Sequence, residues 1–169
     1  MPGASKSSAD FGVTLSVLDR LIDREPDRSS EGFVVRAQSI RELKAAVRRD
    51  LEWLLNTRRI AVEPDETLEE VNRSVYAYGL PDFTAMGLAA RQDKVRLLRS
   101  LQAAIKTFEP RLANVRIVPL EAPGVKTASL RFRIEALLLM DPAPEQISFD
   151  TLLDVTKSEY RIERDADAR

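Results

Sequence analysis

Hydrophobic positions along the chain change their period once, and that change divides it. Val13, Leu15, Leu18 and Ile22 recur at roughly helical spacing among Asp19, Arg20, Asp23 and Arg24, predicting a short amphipathic segment. A charged stretch with Pro26, Ser29 and Ser30 follows and reads as a linker. Ser39 with Glu42 forms a capping-box signature ahead of the stripe Ile40, Leu43, Val47, Leu51, Leu54 and Leu55, predicting a helix over about Ile40 to Thr57. Its outer face carries Arg41, Lys44, Arg48, Arg49 and Glu52, a pattern that usually marks a solvated face. Trp53 suits a core or boundary position. Thr67 with Glu70 repeats the cap signal before Leu68, Val71 and Val75, so a short helix is expected there. Gly79, free to take positive φ, and Pro81 then end it in an aromatic loop bearing Tyr76, Tyr78 and Phe83. Those rings either pack on the core or face outward as anchors for a partner.

Val95, Leu98, Leu101, Ile105 and Phe108 mark a second long helix, after which the period drops to two. Val115 and Ile117 alternate with Arg116, and Leu130, Phe132 and Ile134 with Arg131, Arg133 and Glu135, giving a hairpin around Glu121–Gly124. Ala136–Met140 loses the alternation, which predicts cover on both faces at that end of the strand. Phe149, Thr151, Leu153 and Val155 share one face of a further strand, and 158–162 forms the last. Helices first and strands second predict an α+β fold, with N-terminal helices on one face of a small C-terminal antiparallel sheet. The expected organisation is a flexible tail over 1–30 carrying the short segment, a single domain over 31–163 and a frayed tail over 164–169.

The junction between the two periods is Phe108-Glu109-Pro110-Arg111-Leu112. Pro110 lacks a backbone donor and pushes Glu109 out of the helical region, so the helix must end near Phe108. Glu109 and Arg111 are thereby presented on either side of a stiff ring. They suit recognition of another surface, or they face water as ordinary charges at a helix stop.

Composition narrows the chemistry. The 169 residues include neither cysteine nor histidine, which removes disulfides, Cys/His zinc sites, Ser-His triads and histidine acid–base catalysis together. Apolar residues at 44% and charged residues at 31% describe a globular chain, with no apolar run near the roughly 20 residues of a membrane-spanning helix. The polar start Met1–Ser8 has no secretory-signal pattern, so a cytoplasmic location is expected. A net charge of −1 argues against a general grip on nucleic acid or acidic lipid, and Asp50 and Glu52 interrupt the arginine-rich patch around Arg48 and Arg49.

Four stretches fall in a familiar order: 16–21 (SVLDRL), 49–58 (RDLEWLLNTR), 74–83 (SVYAYGLPDF) and 108–112 (FEPRL). Together they resemble TssE, the baseplate family of type VI secretion systems, which is similar to the "lysozyme-like" wedge protein of contractile phage tails. The resemblance covers nearly the whole chain. It implies a non-enzymatic structural subunit with no cofactor or metal, working at the cytoplasmic face of the inner membrane without inserting into it. It implies that the wedge proteins TssF and TssG, with TssK nearby, and the sheath proteins TssB and TssC are its partners. The family's Glu-Pro-Arg motif falls on Glu109, Pro110 and Arg111 and lies at the contact with the wedge's helical bundle. Arg111 is accordingly expected to make a bidentate pair across that contact. Leu18, Leu21, Tyr78 and Phe83 are further partner-binding candidates. Tyr160 and Ile162 are carried over as part of an edge for strand pairing with the sheath.

The alternative is a peptidoglycan-cleaving, lysozyme-like hydrolase. That chemistry needs two carboxylates about 5 to 10 Å apart, one with a raised pKa. An arginine close to Glu109 favours its ionised form and opposes that shift, and no second carboxylate stands out in the sequence.

Overall fold

The computed structural model describes residues 36–83, 90–120, 129–141, 143–154 and 159–165, together with Leu21 and Lys157. Leu18 and most of the amphipathic segment lie outside the described residues, as does the 121–124 turn.

Helix α1 runs from Arg36 to Asn56. Its predicted stripe is its buried face: Leu43, Val47, Leu51, Leu54 and Leu55 are each at most 2% exposed. It begins a turn earlier than the capping box implied, so Ser39 lies inside the helix and is not its cap. Nothing in Arg36, Ala37 or Gln38 opposes helix, and the first apolar position need not be the first helical one. Trp53, expected at the core or its boundary, is half exposed.

The chain then leaves the core in an excursion closed at its neck by a parallel bridge between Arg58 and Leu80. Arg59 N–H donates to Leu80 O (2.9 Å), and Leu80 N–H donates to Thr57 O (2.8 Å). Within it lie helix α2, Glu69–Asn72, and a 3₁₀ turn, Val75–Ala77. The Thr67–Glu70 capping box does not form. Leu68 occupies the N-cap without a side-chain bond. Thr67 instead donates its backbone N–H (2.8 Å) and hydroxyl (2.7 Å) to Asp65, because a short acidic side chain two residues back satisfies the turn first. Gly79 has φ +103°, and a Cβ there would lie 2.4 Å from the carbonyl oxygen of Thr57.

Helix α3, Arg91–Phe108, buries Leu97, Leu101 and Ile105. Leu98 and Phe108 pack at the margin of the core, whereas Val95, read as part of the stripe, is exposed because Leu97 takes the inward position. The helix ends where Pro110 requires: Glu109 is non-helical at φ −118°, ψ 73°.

Strands β1 (Leu112–Leu120), β2 (Ser129–Leu138), β3 (Glu145–Asp154) and β4 (Glu159–Asp165) form one antiparallel sheet in sequence order. The inward residues of β2 (Phe132, Ile134, Ala136, Leu138), of β3 (Ile147, Phe149, Leu153) and of β4 (Tyr160, Ile162) share one core with α1 and α3. Helices on one face of a C-terminal antiparallel sheet is the α+β arrangement the sequence predicted.

Three details differ. Alternation continues through the end of β2, with Leu137 half-buried and Leu139 exposed, so this end is not covered on both faces. β4 continues past Glu163 to Asp165, which pairs with Phe149 across a bulge, where a frayed tail was expected from 164. β1 also bulges between Ala113 and Arg116, with Asn114 at φ 54°. Asn tolerates this conformation better than most residues do.

Candidate functional site

Pro110 fixes where α3 stops, and two short bonds fix how the corner turns: Glu109 N–H donates to Ile105 O (2.9 Å), and Leu112 N–H donates to Glu109 O (3.0 Å). Glu109 consequently points inward and is only 7% exposed, while Pro110 is exposed and Arg111 half-buried. Arg111 donates through Nε (3.1 Å) and Nη2 (2.8 Å) to Glu109 Oε2. The same Nη2 also reaches Asp50 Oδ2 on α1 at 2.6 Å. The other Asp50 oxygen accepts from Nε (3.0 Å) and Nη2 (2.7 Å) of Arg49, whose guanidinium lies 5.0 Å from the centre of the Trp53 ring. A charge-paired chain of Glu109, Arg111, Asp50 and Arg49 thus ties the corner to α1 and ends at a half-exposed tryptophan.

The electrostatics follow from burial and this pairing. Burial raises the Glu109 pKa above its ordinary value and outweighs the opposing hydrogen bond and charge of Arg111, with Asp50 adding to the rise. Burial pulls the Arg111 pKa down, but hydrogen bonds and charges from Asp50 and Glu109 together leave it raised. The Tyr78 hydroxyl is shifted up by burial, then by the Glu109 and Asp50 carboxylates, which places that ring in the field of the corner. Tyr78 meets Phe108 edge to face with centroids 5.2 Å apart.

The sequence-predicted site residues therefore divide. Glu109, Pro110, Arg111 and Tyr78 come together at the corner. Phe83 packs at the margin of the core, as Tyr78 does. Tyr160 and Ile162 lie at the edge strand with their side chains buried in the core. Leu21 is helical and 76% exposed. Within the chain, Nε of Arg111 is engaged by Glu109 and Nη2 by both Glu109 and Asp50. Only Nη1, also buried, has no hydrogen-bond partner.

Sequence reasoning missed Asp50, which was read only as an interruption of a basic patch. Its signal was positional. Asp50 lies three residues after Val47 and four before Leu54, both buried, so it stands on the core-facing side of the helix, where a lone charge requires a partner. Asn56 was also missed. Its amide accepts from Tyr160 N–H and donates to Tyr160 O, both at 2.9 Å, and so closes part of the free edge of β4.

The structure also supplies the second carboxylate that the hydrolase alternative lacked. Glu109 and Asp50 share one guanidinium nitrogen, Nη2 of Arg111, so both carboxylates are paired with the same cation. No group of three or more potential metal-ligating acidic side chains occurs among the described residues, and no helix among them is long and apolar enough to cross a membrane.

The chain belongs to the baseplate wedge protein gp25 family, whose model matches residues 41–143, more than half of the sequence. That span includes most of α1, the whole corner, β1 and β2. A search of curated proteins found no match.

Proposed function

We propose that the protein is a structural baseplate subunit of a contractile injection machine of the type VI secretion kind, joining the TssF/TssG wedge to the first ring of the TssB/TssC sheath. It works in the cytoplasm at the inner face of the inner membrane, with TssK nearby. The observation that carries this reading is the corner of a gp25-family chain: a part-buried Glu109–Arg111–Asp50 network fixes Pro110 and the entry to β1 in one geometry. Such a joint presents a preorganised surface and loses little freedom on binding.

In this arrangement Arg111 shapes the wedge contact from below, while the exposed Pro110 meets the partner. Tyr78 and Phe83 support the corner, and Leu18 and Leu21 belong to a separate contact. The free edge of β4 beyond Asn56, at Ile162, receives a sheath strand by main-chain pairing.

The test is an affinity pull-down of the tagged chain from its own bacterium under secretion-active conditions, beside a Glu109→Gln/Arg111→Met variant shown to be folded. Wild type should recover TssF, TssG and sheath proteins, and the variant should lose the wedge proteins first. Recovery of none of them by wild type would overturn the assignment.

A further inference from the structure

The excursion between Arg58 and Leu80 is ordered yet contributes no side chain to the core before Tyr78. Neither α2 nor the 3₁₀ turn contains a buried residue. It is held together by its own bonds. Asn72 Nδ2 donates to Asp65 O (2.9 Å) and Leu68 O (3.0 Å), and the Tyr76 hydroxyl donates to Val62 O (3.3 Å). Large apolar side chains nevertheless face solvent, with Val62 69%, Leu68 50% and Val75 90% exposed. Ordering a segment costs conformational entropy, which a folded chain normally offsets by burying such residues. Here the apolar positions are left for a second surface.

Charge indicates which surface. Residues 60–77 hold five carboxylates against one cation, Arg73. Glu66, Glu69 and Glu70 are exposed and engage no ion pair among the described residues. The complementary pattern occurs on the same chain. Helix α3, residues 91–108, holds five cations against one carboxylate, Asp93. Its outer face places exposed Arg91, Arg96 and Arg99 around Val95, the apolar residue that the core left out.

We infer that the acidic, apolar excursion of one copy docks on the basic outer face of α3 of a second copy. Two different patches meet, so the contact is heterologous: it repeats from copy to copy and builds a ring or an open row, not a closed dimer. Val62, Leu68 and Val75 close over Val95, and Glu66, Glu69 and Glu70 face Arg91, Arg96 and Arg99. Exposed charges of this kind give specificity and strong salt dependence. The inference is independent of the corner and of the baseplate reading.

The experiment is sedimentation of the full chain across a concentration series in low and high salt. Two variants, Glu66→Lys/Glu69→Lys/Glu70→Lys and Arg91→Glu/Arg96→Glu/Arg99→Glu, are run alone and mixed. All six positions are exposed, and circular dichroism verifies that each variant is folded. Wild type should associate beyond a dimer in low salt and dissociate in high salt. Each variant alone should associate more weakly by on the order of tenfold, as three exposed ion pairs warrant. Their mixture should associate beyond a dimer again, because each chain's excursion then meets an oppositely charged α3 on the other: the reversed excursion on the reversed helix and the native excursion on the native helix. A wild type that stays monomeric in low salt, single variants that associate as wild type does, or a mixture that associates no more strongly than the single variants would each overturn the inference.

Discussion

Replacing Arg111 with alanine removes the cation between Glu109 and Asp50, and the cost can be worked from the structure. Asp50 keeps the two bonds from Arg49, so the stranded charge is Glu109, at 7% exposure. Breaking one member of a buried pair commonly costs about 3–5 kcal/mol. Protonation sets a ceiling on the part that belongs to Glu109, since the folded state escapes the buried charge by binding a proton. From an ordinary value of 4.5, that escape costs about 1.36 kcal/mol per pH unit, hence about 3.4 kcal/mol at pH 7 and about 0.7 kcal/mol at pH 5. The sign agrees with linkage. A carboxyl whose folded pKa is raised contributes stability below its unfolded value and loses it as pH rises through the folded one. Urea unfolding of wild type and Arg111→Ala at both pH values should therefore show a destabilisation near 3 kcal/mol that shrinks markedly at pH 5. Glu109→Gln in the same background should recover most of the loss at pH 7. A destabilisation independent of pH, or one that Glu109→Gln does not relieve, would refute the claim that the guanidinium compensates a buried charge.

Three further outcomes are expected. Asn56→Ala removes both bonds to Tyr160 and should cost about 1–2 kcal/mol, with faster hydrogen exchange at the Tyr160 amide; unchanged exchange would show that the edge is protected by something else. Thr151 is 2% exposed with a hydroxyl that finds no partner, so Thr151→Val should stabilise by about 1 kcal/mol in urea unfolding. Gly79→Ala combines a φ of +103° with a Cβ 2.4 Å from the Thr57 carbonyl, so it should lower stability by about 2 kcal/mol or more and raise protease sensitivity within residues 58–80.

Much of the fold was legible because burial imposes a period. The α1 stripe from Leu43 to Leu55, the stop at Phe108 and the inward set Phe132, Ile134, Phe149 and Leu153 each follow from one-dimensional spacing or from the geometry of proline. Capping signals were less reliable. Ser39 and Thr67 match the pattern, but a helix can extend by a turn at little cost, and Asp65 competed for the bonds of Thr67. The outward position of Trp53 was not legible, because a single aromatic residue beside a stripe fits either side of the boundary.

The sequence by itself determined that an α+β chain turns at Pro110 and presents Glu109 and Arg111 there, since both facts depend on neighbours in the chain. It also excluded cysteine and histidine chemistry outright. Only the tertiary structure decided what those charges meet. Arg111 lies 61 residues from Asp50, and Asn56 lies 104 residues from Tyr160. No local period encodes such distances. They arise when α1 packs across the sheet, and the low dielectric of that contact then sets the charge state and the partners of Glu109.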